Sequence, residues 1–137
     1  EMFVYCYGLT TLDLSGWNTS NIKYMSDAFH DCQNLKSINL SGWDTSNVTT
    51  MTCMFEGCKN LETVDISHFN TSNVASFISM FDGCKKLTTI DTSKWDTSAA
   101  KSMEDMFHGC NSLVSIGDLK IPEGCVTDNM YLYSPLG

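Results

Sequence analysis

The chain has seven cysteines, and five of them recur at a constant spacing of 26 residues. This column consists of Cys6, Cys32, Cys58, Cys84 and Cys110. Repeated thiols suggest zinc binding, an iron–sulfur cluster or disulfide bonds. Metal sites favour close pairs such as CxxC, which the sequence lacks, and parallel side chains in a stack do not converge as a disulfide requires. We therefore expect a buried, reduced ladder of structural cysteines, since free cysteine packs as a small hydrophobe.

Two further cysteines, Cys53 and Cys125, stand outside the column. Cys53 takes a repeat position that Asp27, Ser79 and Asp105 occupy elsewhere, so we expect its side chain to be exposed. An odd exposed thiol in a secreted protein indicates intermolecular pairing, and the alternative is a surface cysteine without a role.

A ladder of small polar side chains is the second candidate for chemistry. These residues alternate with apolar ones and should point outward from a half-buried strand. Stacked carboxylates can hold calcium, which takes six to eight oxygens, but one Asx per repeat is sparse beside known calcium-binding repeats. We interpret the ladder as a ligand-contacting face suited to sugar hydroxyls or a polar protein surface. The predicted binding residues are Thr11, Asp13, Ser37, Asn39, Thr63, Asp65, Thr89 and Asp91.

The elements that position these residues follow from one repeat, 61–86. Alternation in Leu61-x-x-Val64-x-Ile66 predicts a short strand. An aromatic residue and an Asx-Thr-Ser-Asn segment then predict a turn that caps a helix. In the preceding repeat the apolar positions of the predicted helix have the three- and four-residue spacing of one buried face, and a glycine before each later cysteine suits a helix stop. Those apolar positions are Val48, Met51, Met54, Phe55 and Cys58.

Several apolar columns that keep one period in this range are typical of a solenoid, in which stacked units share a core. The predicted fold class is an α/β solenoid of leucine-rich-repeat type, with one short parallel strand and one short helix per 26-residue turn. We expect residues 1–116 to form four to five repeats, beginning in the middle of one. Glycines and prolines interrupt the pattern in 117–137, which we interpret as a C-terminal cap or a linker.

Composition excludes several classes of function. The net charge is −8, and all eight basic residues are lysine, so the chain lacks the clustered positive charge that nucleic acid requires. No apolar run approaches the ~18 residues of a membrane span. The sequence has no phosphate loop, HExxH or GxSxG motif, and repetition disfavours the unlike converging groups of an active site. We therefore expect no enzymatic activity, no cofactor and no metal.

The repeat pattern LxxLDLSxWDTSNVxxMxxMFxGCxx, present with small changes at 35–60, resembles the 26-residue repeat of bacterial surface proteins related to the BspA-like leucine-rich-repeat family. The resemblance extends over residues 1–116 and implies a secreted or wall-attached protein with a role in cell adhesion. It implies no catalytic residues. The expected function is an adhesion module at the cell surface that recognises a host surface or matrix protein, mucin or glycan. The alternative is a structural spacer that projects another domain from the cell surface.

Overall fold

The computed structural model describes residues 2–137, and its repeating unit is a coil of 26 residues stacked on its neighbours. We number the coils by the leucine that begins each one. Coil one is 9–34, coil two is 35–60, coil three is 61–86, coil four is 87–112, and coil five runs from 113 to the end. Residues 2–8 complete the turn before coil one. Backbone hydrogen bonds join each coil to the next, most often between residues 25 or 26 positions apart.

Three short parallel strands lie on one side of the stack: β1 (Thr11–Asp13), β2 (Ser37–Asn39) and β3 (Thr63–Val64). Their order is β1-β2-β3, and each residue pairs with the one 26 positions later, as in Thr11 with Ser37. A single bridge, Thr89 with Ser115, continues this side in coils four and five. The strands are short because only three alternating positions of each coil are extended before the chain turns.

The predicted helix is wrong, since no helix occurs anywhere in residues 2–137. In its place, alternate amides pair with the next coil, as when Met51 donates to the Ser76 carbonyl at 3.0 Å and Phe55 to the Met80 carbonyl at 2.9 Å. The amides between them close local turns, such as Met54 to the Met51 carbonyl at 3.2 Å. A helix would need every amide to bond four residues back along its own chain. The predicted α/β class with one helix per repeat is therefore contradicted.

Positive backbone angles explain why this segment cannot coil into a helix. Cys53 has a φ of 56° and Gly57 a φ of 72°, and both values recur in neighbouring coils. These residues in the left-handed region reverse the local curvature at two points in each coil, whereas an α-helix needs negative φ throughout. The glycine that we interpreted as a helix stop is therefore one of two reversal points. A second parallel ladder results on this side, formed by isolated bridges through Tyr24, Thr50, Ser76, Ser102 and Val126.

The core runs along the stack between the two ladders. Phenylalanine rings of successive coils lie face to face, with centroids 5.3 Å apart for Phe29 and Phe55 and again for Phe55 and Phe81. The column continues through Phe107 to Tyr131, 5.9 Å away. The apolar residues assigned to the predicted helix are fully buried here, because the succession of turns projects them to the same side. Each coil alone would leave these rings exposed, so stacking creates the core.

Residues from the predicted cap or linker pack on coil four as an irregular coil. Val126 bridges Ser102, and the Phe107 amide donates to the Met130 carbonyl at 2.9 Å. Met130 is buried, and the Thr97 hydroxyl donates to the Lys120 carbonyl at 2.5 Å. The offsets are 23 or 24 residues here instead of the 25 or 26 of the earlier coils, so the 26-residue period does not continue into this segment of the sequence.

Candidate functional site

The predicted polar ladder lies on the outer surface of the strand side, which we call the strand face. Seven of its eight residues are exposed, and Ser37 is partly exposed. Parallel pairing brings equivalent residues of the first three coils side by side, with Thr11, Ser37 and Thr63 in register. The stack therefore aligns one hydroxyl-bearing row and one carboxylate or amide row along this face. Their role as ligand contacts stays a prediction.

Each Asx of this face also has a structural task. Asp65 accepts from the Ser67 amide at 3.0 Å and from the Ser67 hydroxyl at 2.7 Å through the same oxygen, Oδ1. Asp91 accepts from the Ser93 amide at 2.9 Å in the same way. Hydrogen bonds to the ionised carboxylate lower its pKa, and those from Ser67 hold the pKa of Asp65 below its ordinary value. These carboxylates stay charged at neutral pH.

Two open concavities lie on or beside the strand face near coils three to five. The upper concavity, of about 440 Å³, is lined by Glu62, Thr63, Lys86, Thr88 and Ser112. The lower concavity, of about 360 Å³, is lined by Val64, Asp65, Thr89, Ile90, Asp91, Ser115 and Gly117. They contain four of the eight predicted residues. Glu62, Lys86, Thr88 and the coil-five residues were missed, although Lys86 departs visibly from the asparagine of earlier repeats.

A larger concavity, of about 480 Å³, lies at the C-terminal end of the stack, away from the strand face. Its lining includes Ile121, Met130 and three residues of the segment 131–133. None of the predicted binding residues lines it. The two concavities of the strand face, whose lining residues are mostly polar, match the predicted ligand contacts better.

The cysteine column runs through the core. Cys32, Cys58, Cys84 and Cys110 are fully buried, while Cys6 in the terminal turn is partly exposed. Each buried thiol donates to the carbonyl of a phenylalanine 29 residues earlier, as in Cys58 to Phe29 at 3.1 Å. Burial raises the pKa of Cys32 to about 11 and that of Cys110 to about 12. The protonated thiol is the donor that this geometry requires, so these residues tie adjacent coils together.

Cys53 and Cys125 are partly exposed, so the expectation of a freely exposed Cys53 is only partly met. Burial, followed by the neighbouring Glu56 carboxylate, raises the pKa of Cys53 to about 12. A thiol with so high a pKa is a poor nucleophile at neutral pH. Within residues 2–137 all seven cysteines are free, and no group of three or more His, Cys, Asp or Glu side chains is arranged to hold a metal.

The threonine of the Asx-Thr-Ser segment does not cap a helix. Thr45 is 1% exposed, and its hydroxyl donates to the Asn70 carbonyl at 3.0 Å and accepts from the Asn70 amide at 2.8 Å. Thr19 makes the same pair of bonds to Asp44. The preceding Asx closes the local turn, as in Asn70 with the Ser72 amide at 3.1 Å. The segment therefore combines a turn with a link between coils.

These features define a repeat protein built from stacked 26-residue coils, with a polar strand face and a core of aromatic and thiol columns. The family model described as a Mycoplasma protein of unknown function, DUF285, matches residues 1–118, and the chain belongs to this bacterial family. The match supports the coarser part of the predicted resemblance and does not single out the BspA-like relatives. Comparison with curated proteins and with solved structures found no match. Across residues 2–137 no helix is long and apolar enough to cross a membrane.

Proposed function

We propose that this chain is a binding module of a bacterial surface protein, and that its strand face contacts a host surface or matrix protein, a mucin or a glycan. The observation that carries the proposal is the pair of polar concavities beside the aligned rows of hydroxyls and carboxylates. The opposite ladder supplies a weaker surface, since the hydroxyls of Ser26, Thr50, Thr52 and Ser76 are already partly paired with one another.

The acidic character of the chain favours particular partners. With a net charge of −8 and ionised Asp65 and Asp91 on the binding face, the surface attracts donor-rich or cationic partners and repels polyanions. A neutral or basic protein region, or the uncharged part of a glycan, fits this potential. The proposed localisation is extracellular, at the cell surface or in the cell wall.

A structural spacer is the second candidate. It is favoured by the number of strand-face groups that also shape the chain locally, since Asp13, Asp65 and Asp91 each accept a bond from a serine two residues later. A spacer needs regular stacking and a hydrated exterior but no ligand contacts. We prefer the binding module because the two concavities lie beside four of the predicted binding residues, and a spacer has no need of such concavities.

The test is saturable binding of the purified chain to immobilised mucins, matrix proteins and glycans. Two strand-face variants, Thr11→Lys and Thr89→Lys, are compared with Thr49→Lys and Val126→Lys, which change exposed positions on the opposite side. We expect at least tenfold weaker binding for one or both strand-face variants and wild-type binding for the controls. Equal loss from the control variants would move the site to the other ladder. A folded chain that binds nothing in the panel would support the spacer.

A further inference from the structure

One hydrogen bond is missing from a column that otherwise runs the length of the strand side. The Lys36 amide donates to the Thr10 carbonyl at 2.7 Å, and the Glu62 amide to the Lys36 carbonyl at 2.9 Å. The Val114 amide likewise donates to the Thr88 carbonyl at 2.9 Å. The equivalent bond between coils three and four, from the Thr88 amide to the Glu62 carbonyl, is not formed, and within residues 2–137 no backbone bond joins 62–66 to 88–92. We call this gap the seam.

A change in the repeat accompanies the seam on the side of coil three. Asn34 donates its side-chain amide to the Tyr7 carbonyl at 2.6 Å, and Asn60 donates to the Gln33 carbonyl at 2.7 Å. Each bond clamps one coil to the previous one just before the strand. The same position in the next coil is Lys86. Its long ammonium side chain cannot reproduce the short planar amide clamp.

On the side of coil four, Thr92 replaces the apolar residue found at Leu40 and Ile66. Its hydroxyl donates to the Ile116 carbonyl at 2.7 Å, and its amide donates to the same carbonyl at 3.0 Å. Coil four is therefore bonded to coil five on the strand side and detached from coil three. Two departures from the repeat, at Lys86 and Thr92, therefore flank the seam.

The seam is narrow because the rest of the interface between coils three and four is intact. On the opposite ladder Phe77 donates to the Ser102 carbonyl at 3.0 Å, and in the core the Trp95 indole donates to the Ile66 carbonyl at 3.0 Å. The inward residues Val64 and Ile90 remain 9% and 4% exposed. An inserted polypeptide strand needs its own ~4.8 Å of spacing on each side, so the seam admits only groups about the size of a hydroxyl.

The upper concavity opens directly at the missing bond. Its lining includes Glu62 and Thr88, the two residues whose backbone groups lack the bond, and three hydroxyl-bearing residues, Thr63, Thr88 and Ser112, whose hydroxyls can both donate and accept. Lys86 and Glu62 contribute one charge of each sign. This lining has no cluster of positive charge for an anion and too few carboxylates for a metal cation. It matches a neutral ligand with several closely spaced hydroxyls.

We propose that the seam between coils three and four binds a neutral saccharide, whose hydroxyls take the place of the missing bond between the Thr88 amide and the Glu62 carbonyl. The inference rests on the proposed function and specifies its ligand class and its position. A backbone donor and acceptor left open to solvent keep their hydrogen bonds to water, and a positioned hydroxyl replaces that water without loss of hydrogen bonding. Without an aromatic platform in the lining, the affinity for one sugar unit is weak and depends on the whole glycan.

The experiment is an amide-resolved NMR titration of the whole chain with N-acetyllactosamine, with its sulfated form, with glycine as a zwitterionic control, and with calcium. We expect saturable shifts of the Thr63 and Thr88 amides with the neutral sugar, and little change at Thr11 or Ser37, whose ladder is intact. Larger shifts with the sulfated sugar, glycine or calcium would overturn the proposal. So would shifts spread evenly along the strand face, or no saturable shift with the neutral sugar.

The matched variant is Lys86→Asn, which restores the clamp of the earlier coils. We expect it to close the seam, to slow hydrogen exchange of the Thr88 amide, and to abolish the sugar-dependent shifts. Unchanged sugar binding by a variant with a protected Thr88 amide would overturn the proposal. If that variant keeps its binding to a mucin or matrix protein while Thr11→Lys loses it, the proposed function survives and only the seam inference fails. If the wild-type protein binds neither the sugar nor any mucin or matrix protein, both the proposed function and the seam inference are refuted.

Discussion

Replacing Thr45 with valine tests the link between coils that the threonine of the recurring Asx-Thr-Ser segment forms. Valine has nearly the shape of threonine, so the substitution keeps the packing of this 1% exposed side chain and removes only its hydroxyl. That hydroxyl bonds both the carbonyl and the amide of Asn70 in the next coil, at 3.0 and 2.8 Å. Thr45→Val therefore leaves two backbone groups of coil three without their partner.

The magnitude follows from the number of groups left unpaired. Each buried polar group that loses its partner costs about 1–3 kcal/mol, and Asn70 is itself an exposed residue, which lets water recover part of the loss. We expect a decrease in the free energy of unfolding of about 2–4 kcal/mol. For a chain of this length, each kcal/mol lost from the free energy of unfolding lowers Tm by roughly 4 °C.

The assay is urea unfolding followed by tryptophan fluorescence, with hydrogen exchange of the Asn70 amide as a local readout. Thr49→Val is the matched control, because Thr49 is exposed and its hydroxyl bonds the Lys23 carbonyl at a longer 3.2 Å. We expect the control to change the free energy of unfolding by less than about 0.5 kcal/mol. A loss at Thr45 as small as in the control, with unchanged exchange at Asn70, would refute the inter-coil role of this threonine.

Three further outcomes are expected. Phe55→Ala removes a ring that is stacked on both sides at centroid distances of 5.3 Å, and it should lower the free energy of unfolding by about 3–5 kcal/mol. The control Tyr24→Ala changes a 72% exposed side chain and should leave urea unfolding nearly unchanged. Similar losses from both variants would contradict the stabilising role of the aromatic column. Hydrogen bonds from serine lower the pKa of Asp65, so its ionised carboxylate stabilises the folded chain above the ordinary pKa of 3.8, and this stabilisation disappears as the pH falls through the lower pKa of the folded state. The difference in stability between wild type and Asp65→Ala should therefore vanish in thermal melts at acid pH. A difference that does not depend on pH would exclude this linkage. A thiol reagent at neutral pH should label Cys58 only after denaturation, and rapid labelling of the native chain would show that the cysteine column is accessible.

The class of architecture could be predicted in part from the sequence. Columns at a 26-residue period indicated stacking, and the alternation in the repeats predicted strands where Thr11–Asp13, Ser37–Asn39 and Thr63–Val64 form. The strand predicted for coil four is wrong, since only the isolated bridge between Thr89 and Ser115 forms there. The helix was predicted wrongly because burial at three- and four-residue spacing fits two structures. A succession of turns with left-handed residues buries the same side chains as a helix does, and only the backbone hydrogen bonds distinguish them.

The position of the candidate site depended on tertiary structure for a related reason. Lys86 and Thr92 are visible in the sequence as departures from the repeat, and by themselves they predict only irregularity. The missing bond that lies between them joins no neighbours in sequence but two residues 26 positions apart, Glu62 and Thr88, so its absence is visible only when the coils are stacked.

What the sequence alone determined is the period, the apolar columns and the outward polar rows, since these follow from local alternation and from repetition. What only the tertiary structure decided is the partner of each backbone amide. A periodic chain can satisfy its amides within one repeat or between repeats, and burial is nearly the same in both cases. Here the neighbouring coil presents carbonyls in register, and the residues in the left-handed region turn alternate amides toward them. Those amides therefore bond to the next coil and not within their own.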